Sequence, residues 1–94
     1  MNDDDAPRSL ATAANLGPKS AAMLEAAGID SMEKLAALGS VAAYARVRGS
    51  NRRVSLNLLW AMEGAITGQS WQTVAREHRA SLLLALESYG VQVR

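Results

Sequence analysis

Cysteine and phenylalanine are absent from the sequence, and its 94 residues include only one histidine, two tryptophans and two tyrosines. The absence of cysteine excludes disulfide bonds and thiolate metal sites. With so few aromatic side chains, the hydrophobic core has to be built mainly from Ala, Leu and Val. Because Ala has the highest intrinsic helix propensity and lets helices pack closely, this composition predicts an all-α fold.

Long hydrophobic runs are missing as well. No segment approaches the ~18 consecutive apolar residues of a membrane-spanning helix, and the N-terminus has no basic stretch followed by an apolar run. Apolar residues make up 49% of the chain and charged residues 20%, which is typical of one globular domain. We therefore expect a single cytoplasmic domain with no membrane partner.

The formal net charge of +1 conceals an uneven distribution. Asp3, Asp4 and Asp5 lie in a polar leader, residues 1–13, which we expect to be largely disordered. Without these three carboxylates, ten basic residues face six acidic ones, a net charge of +4. This mild basic excess is compatible with an anionic partner.

Proline, glycine and capping residues divide the rest of the chain into five predicted helices. Pro18 suits the first position of a helix, and Gly28 suits the left-handed residue that follows one. Asp30 or Ser31, then Ser40 and Ser55, are the expected N-caps of the next three helices. The predicted helices cover residues 18–27, 31–38, 41–48, 55–67 and 75–88, after a short, weak helix at 8–14. Ser70 is expected to open a short turn that contains Trp71 and Val74, and residues 91–94 are expected to form a tail.

The fourth predicted helix has the pattern of a buried central helix. Large apolar side chains occupy one side and small residues another, so little of its surface is left for solvent. The apolar side consists of Leu58, Leu59, Met62 and Ile66, and the small strip of Asn57, Ala61, Gly64 and Gly68. We expect the small strip to let a neighbouring backbone approach closely.

The last helix is amphipathic. Its expected inward face holds Leu82, Leu83, Ala85, Leu86 and Tyr89. Leu84 points almost the opposite way, which makes it the candidate residue for a protein interface. The two tryptophans, Trp60 and Trp71, are expected to pack together in the core at the end of the central helix, because they supply much of the aromatic volume in a chain without Phe.

The segment from Asn15 to Ser20 is a candidate anion site. Gly17 permits a tight turn, Asn15 tolerates a left-handed conformation, and the first N–H groups of the following helix carry partial positive charge. A phosphate at this helix start would gain a full charge from Lys19 and a hydroxyl donor from Ser20. The alternative is that Gly-Pro only starts a helix and that Lys19 is solvated.

A second cationic cluster consists of four arginines within eight positions, with no acid between them: Arg46, Arg48, Arg52 and Arg53. The guanidinium fork matches two phosphate oxygens, so direct contact with nucleic acid is one hypothesis. The alternative is a solvated loop whose arginines pair with Glu63, Glu77 or water. No aromatic residue is interleaved with the arginines, which disfavours a stacking platform for single strands.

Catalytic patterns are missing from the sequence. His78 is the single histidine, and no nucleophile or second carboxylate lies at a helical spacing that would form a relay with it. The glutamates are spread over different helices without the spacing of a metal site, and phosphate-binding glycine loops are absent. We therefore expect a protein that is not an enzyme and that uses neither a metal nor another cofactor.

Three stretches carry a pattern in this order and spacing: NLGPKSAAMLEAAGIDSMEKLAALGSVAAY, SLNLLWAMEGAITGQSW and LLLALES. Together they resemble the C-terminal domain of the TfoX (Sxy) family of bacterial competence regulators, over most of residues 14–90. The resemblance implies a compact five-helix, helix-hairpin-helix-like (SAM-like) orthogonal bundle. It also implies a role in regulating DNA uptake and transformation genes.

Two departures from the family pattern affect the expected partners. Asn15 stands where a helix-hairpin-helix turn has its first Gly, and we expect the acidic leader to take the place of the N-terminal α+β domain that family members usually carry. The expected partners are double-stranded DNA, held weakly through its backbone, and a protein such as a separate N-terminal-type domain. The alternative is a domain for protein–protein contact or homodimer formation that makes no contact with nucleic acid.

Overall fold

Six helices make up the fold of the protein in a computed structural model that describes residues 16–51 and 53–91. The expected disordered leader, the weak helix at 8–14, Asn15, Arg52 and most of the tail lie outside the described residues. The helices are α1 (Pro18–Ala26), α2 (Met32–Leu38), α3 (Ser40–Ser50), α4 (Leu56–Thr67), α5 (Trp71–Glu77) and α6 (Arg79–Ser88). No strand occurs in the described ranges, which confirms the all-α prediction.

The prediction of five helices was wrong at the end of the chain. Residues 71–77, expected to form a turn running into a longer helix, form the separate helix α5. The Ser70 hydroxyl accepts a hydrogen bond from the Thr73 N–H at 3.1 Å and caps its first turn. His78, with φ −117° and ψ 7°, then interrupts the helical path before α6. The SAM-like arrangement stays a prediction.

The N-caps differ in detail from those expected. Ser31 caps α2, because its hydroxyl accepts from the Lys34 N–H at 3.2 Å. Asp30 instead pairs with the Lys34 ammonium at 2.9 Å, and the hydrogen bond and charge of Lys34 lower the pKa of this exposed carboxyl. Ser40 was wrongly assigned as a cap: α3 begins at Ser40 itself, whose buried hydroxyl donates to a carboxylate oxygen of Glu63 at 2.7 Å. Ser55 precedes α4 as expected, but its side chain makes no capping hydrogen bond.

The helix α4 lies at the centre of the fold and packs against α2, α3 and α5, as its apolar pattern predicted. Its buried residues are Leu58, Leu59, Trp60, Ala61, Met62 and Gly64. Gly68 has a different role from the one expected. Its φ of 79° is left-handed, and a Cβ added there would meet no atom within 4 Å, so it ends the helix without admitting a neighbouring backbone.

The ends of α5 and α6 place two aromatic residues outside the core. Leu82 and Leu86 are buried and Leu84 is 65% exposed, as predicted. Tyr89, expected on the inward face, is 58% exposed because α6 stops at Ser88 and the chain turns away. Trp71, also expected in the core, is 41% exposed at the first position of α5. Within the described ranges, none of the helices combines the length and hydropathy needed to cross a membrane.

Candidate nucleic-acid interface

The loop that connects α3 to α4 is held in place at both ends. The Asn51 side-chain oxygen accepts from the Arg53 N–H at 3.2 Å, and its amide group donates to the Met23 sulfur of α1 at 3.7 Å. Further along, the buried Tyr44 hydroxyl donates to the Val54 carbonyl at 3.1 Å. These contacts fix the backbone on both sides of Arg53, whose side chain is exposed.

The start of α1 is open. Gly17 is extended, with φ −103°, and Pro18 follows at the first helical position without an N–H to satisfy. The Ala21 N–H donates to the Gly17 carbonyl at 3.0 Å, and no side chain of the described residues caps the helix. The N–H groups of Lys19 and Ser20 therefore have no side-chain partner among the described residues, and they lie at the positive end of the helix dipole.

The open start of α1 and the anchored loop line one groove of about 620 Å³, which we call the α1 groove. The start of α4 and the first residue of α5 complete its wall. Its lining residues are Lys19, Ser20, Met23, Asn51, Arg53, Val54, Ser55, Asn57, Leu58, Ala61 and Trp71. The groove thus contains residues of both cationic segments that the sequence predicted. Lys19 and Ser20 come from the candidate anion site, and Arg53 comes from the arginine cluster.

The charge of the α1 groove has one sign. Lys19 and Arg53 supply two positive charges, and none of the described residues that line the groove is Asp or Glu. The start of α4 adds partial positive charge, since the Ser55 side chain leaves its first N–H groups uncapped. Such a surface attracts anions, and the guanidinium of Arg53 can hold two oxygens of one phosphate.

The sequence model of the TfoX C-terminal domain matches residues 6–86, which is most of the chain. The chain belongs to this family. No functionally curated protein matches the sequence significantly.

Two solved structures are similar to this TfoX C-terminal domain. The triclinic crystal structure of an uncharacterized protein from Listeria monocytogenes has a TM-score of 0.76 and 26% identity, covering 90% of this chain and 97% of that one. The tetragonal structure of a protein of unknown function from the same organism has a TM-score of 0.75 and 28% identity, covering 84% and 98%. Neither protein is described with an activity. The two structures therefore show that related proteins share this fold, but they do not indicate a function.

The predicted arginine cluster is divided in this TfoX C-terminal domain. Arg53 lies in the α1 groove, whereas Arg46 lines a separate depression of about 310 Å³ that also includes Lys34 and Leu38. Arg48 is half-buried on α3, and Arg52 lies outside the described residues. Arg46 and Arg53 therefore face different depressions.

The glutamates proposed as arginine partners have other contacts. Glu63 accepts from Ser40, and the carboxylate of Glu77 pairs with its neighbour Arg76 at 3.4 Å. In the described part of the chain, neither Arg46 nor Arg53 forms an ion pair. Both guanidinium groups are thus exposed to solvent.

Eight residues that line the α1 groove were not among the sequence-predicted site residues, and they include Asn51, Asn57 and Trp71. A partial signal existed for Asn51, because Asn at a helix end commonly shapes the following loop. Nothing local marked Trp71, because its place beside Lys19 and Arg53 depends on how α5 packs on α4. His78, the histidine considered in the search for catalytic patterns, lies half-buried at the junction of α5 and α6.

Proposed function

We propose that this TfoX C-terminal domain is a non-enzymatic, cytoplasmic regulatory module that holds the DNA backbone in the α1 groove. Its role would lie in the regulation of competence and DNA transformation, as membership of the family suggests. One observation supports the DNA contact most directly: the uncapped start of α1, Lys19 and Arg53 meet in one groove without a carboxylate.

The chemistry of the groove favours phosphate over base contact with duplex DNA. Two side-chain cations and the N–H groups at a helix start recognise an oxyanion but carry no sequence information. Two neutralised phosphates correspond to a log–log salt slope of about −1.8, much shallower than that of a large repressor. We therefore expect weak, salt-sensitive binding that is nearly independent of sequence.

The test is fluorescence anisotropy of a labelled duplex of ~20 base pairs over a NaCl series. Lys19→Glu and Arg53→Glu should each weaken binding and make the slope shallower by about one unit. The matched control is Arg76→Glu, which makes the same charge change at an exposed arginine outside the groove. Equal losses in Arg53→Glu and Arg76→Glu would show that overall charge, and not the groove, causes binding.

The biological role can be tested in the source bacterium. Disruption of the gene should lower transformation frequency and the expression of DNA-uptake genes. Complementation with the wild-type chain should restore both, whereas the double variant Lys19→Glu/Arg53→Glu should not. An unchanged transformation frequency in the disrupted strain would contradict the competence role.

A protein-binding function without DNA contact is the second candidate, and the exposure of Leu84 on α6 favours it. Its partner would be a second copy of the chain or a separate N-terminal-type TfoX domain. Sedimentation of the purified chain should then show a dimer, or a complex with the added domain, that Leu84→Lys abolishes. A monomer that binds duplex DNA and ignores the added domain would reject this candidate.

A further inference from the structure

Trp71 gives the α1 groove a chemistry that phosphate binding does not use. Trp71 is 41% exposed and lines the same groove as Lys19 and Arg53. The other tryptophan, Trp60, is buried in α4. The arginine cluster seemed unsuited to stacking because no aromatic residue is near it in sequence, but the packing of α5 places one there.

The groove also holds an amide that can contact the edge of a base. Asn57 is exposed at the start of α4, lines the groove and makes no side-chain hydrogen bond with the described residues. A carboxamide carries both donors and an acceptor, which suits the edge of any nucleobase. The groove volume of about 620 Å³ lies in the range of sites for small organic ligands, so there is room for one nucleotide.

From this juxtaposition we propose that the α1 groove takes an unpaired nucleotide, with its phosphate at Lys19 and Arg53 and its base against Trp71. Bases in a duplex are stacked on one another and cannot reach Trp71, so single-stranded DNA binds in preference to duplex DNA. The inference rests on the proposed function in one respect, because the phosphate contacts are the same. The base contact is separate, because Trp71 and Asn57 make it and the two cations do not.

The binding test compares a labelled oligo(dT) of ~10 nucleotides with a duplex of equal length by fluorescence anisotropy at low salt. Trp71→Ala should weaken oligo(dT) binding by about tenfold and change duplex binding less than about twofold, because stacking contributes only with an unpaired base. Trp71→Phe should retain most of the affinity. Tyr89→Ala is the matched control, since it removes an equally exposed aromatic side chain outside the groove.

Circular dichroism and thermal melts accompany each variant, so that a loss of binding is assigned only to a folded protein. If folded Trp71→Ala binds oligo(dT) as tightly as the wild type does, the base contact is refuted. Duplex binding that exceeds single-strand binding would refute it too. If the wild type binds neither DNA at low salt, the proposed function fails together with this inference.

Intrinsic fluorescence gives an independent readout, because the chain has two tryptophans and one of them is buried. Oligo(dT) should quench the emission of the wild type but not that of Trp71→Phe. Saturable quenching by deoxythymidine monophosphate would show that a free nucleotide is sufficient, and quenching by oligo(dT) alone would assign the site to the polymer. Equal competition by deoxyribose 5-phosphate and by deoxythymidine monophosphate would overturn the contact with the base.

Discussion

The two tryptophans have opposite environments. Trp60 lies in the middle of α4 and is 3% exposed, and the guanidinium carbon of Arg79 lies 5.7 Å from its ring centroid. That distance fits a cation–π contact, which lets a charged residue of α6 cover a core aromatic. Trp71 begins α5 and faces the α1 groove. Residue type alone would treat both as core residues, whereas position along the helix decides which one is buried.

Replacing each tryptophan by alanine should therefore give very different losses of stability. Trp60→Ala should lower the free energy of unfolding by ~3–5 kcal/mol, because it opens a cavity in the core. Trp71→Ala should lower it by a smaller amount, less than ~1.5 kcal/mol, because Trp71 is 41% exposed and its removal opens no cavity in the core. Urea unfolding followed by circular dichroism measures both values. Similar losses would contradict the burial assigned to the two residues.

Replacing Tyr44 should reveal how much a single buried hydrogen bond contributes to the stability of the domain. Tyr44→Phe keeps the buried ring but leaves the Val54 carbonyl without its donor. The expected loss is about 1 kcal/mol, or a Tm lower by ~4–8 °C. Tyr89→Phe, at an exposed position, is the control and should leave the Tm unchanged. Because Tyr44 anchors the loop that carries Arg53, Tyr44→Phe should also weaken duplex binding; unchanged binding would show that the loop keeps its place without this bond.

At the scale of the helix, the residue after α4 sets where the element ends. Gly68 has a φ of 79°, which L-residues with a Cβ adopt only with strain, whereas Gly49 lies within α3. At both positions an added Cβ would meet no atom within 4 Å, so any difference between them comes from backbone conformation.

Replacing Gly68 and Gly49 by alanine should change the stability of the domain in opposite directions. Gly68→Ala should destabilise the domain by about 1 kcal/mol, and Gly49→Ala should stabilise it by ~0.5 kcal/mol because it removes helical glycine entropy. Thermal melts of both variants measure the effect. Destabilisation by Gly49→Ala would contradict the open helical position assigned to Gly49.

A hydrogen bond between α3 and α4 provides a second prediction at the scale of the helix. The Ser40 hydroxyl at the start of α3 donates to the Glu63 carboxylate of α4 at 2.7 Å. Ser40→Ala should cost ~1–2 kcal/mol, because the bond has a charged acceptor. A double-mutant cycle with Glu63→Gln isolates the coupling between the two residues. A coupling energy near zero would mean that packing alone holds α3 against α4.

For the whole molecule, stability and DNA binding should respond differently to salt. The Asp30–Lys34 and Arg76–Glu77 ion pairs are exposed and contribute little to stability. Raising NaCl from about 50 to about 300 mM should therefore shift the Tm by less than ~3 °C. Over the same range, two phosphate contacts predict a loss of duplex affinity of about 20- to 30-fold. A large Tm shift would reveal charge interactions that stabilise the fold.

The sequence by itself determined the all-α class, the family, the boundaries of α1, α2 and α4 to within one residue, and the central burial of α4. These features depend on short-range chemistry: Pro18 starts a helix, Gly28 and Gly68 end helices, and an apolar periodicity is visible within a dozen residues. Local signals were weaker after residue 69, where the cap at Ser70 and the break at His78 were missed.

Only the tertiary structure decided which distant residues share a surface. Lys19, Arg53 and Trp71 line one groove because α1 packs on α3 and α5 packs on α4, which brings three distant parts of the chain to the same surface. The tertiary structure also separated Arg46 from Arg53, because Arg46 lines a depression other than the α1 groove. The angles and ends of packed helices set these neighbours, and no periodicity within one helix encodes them.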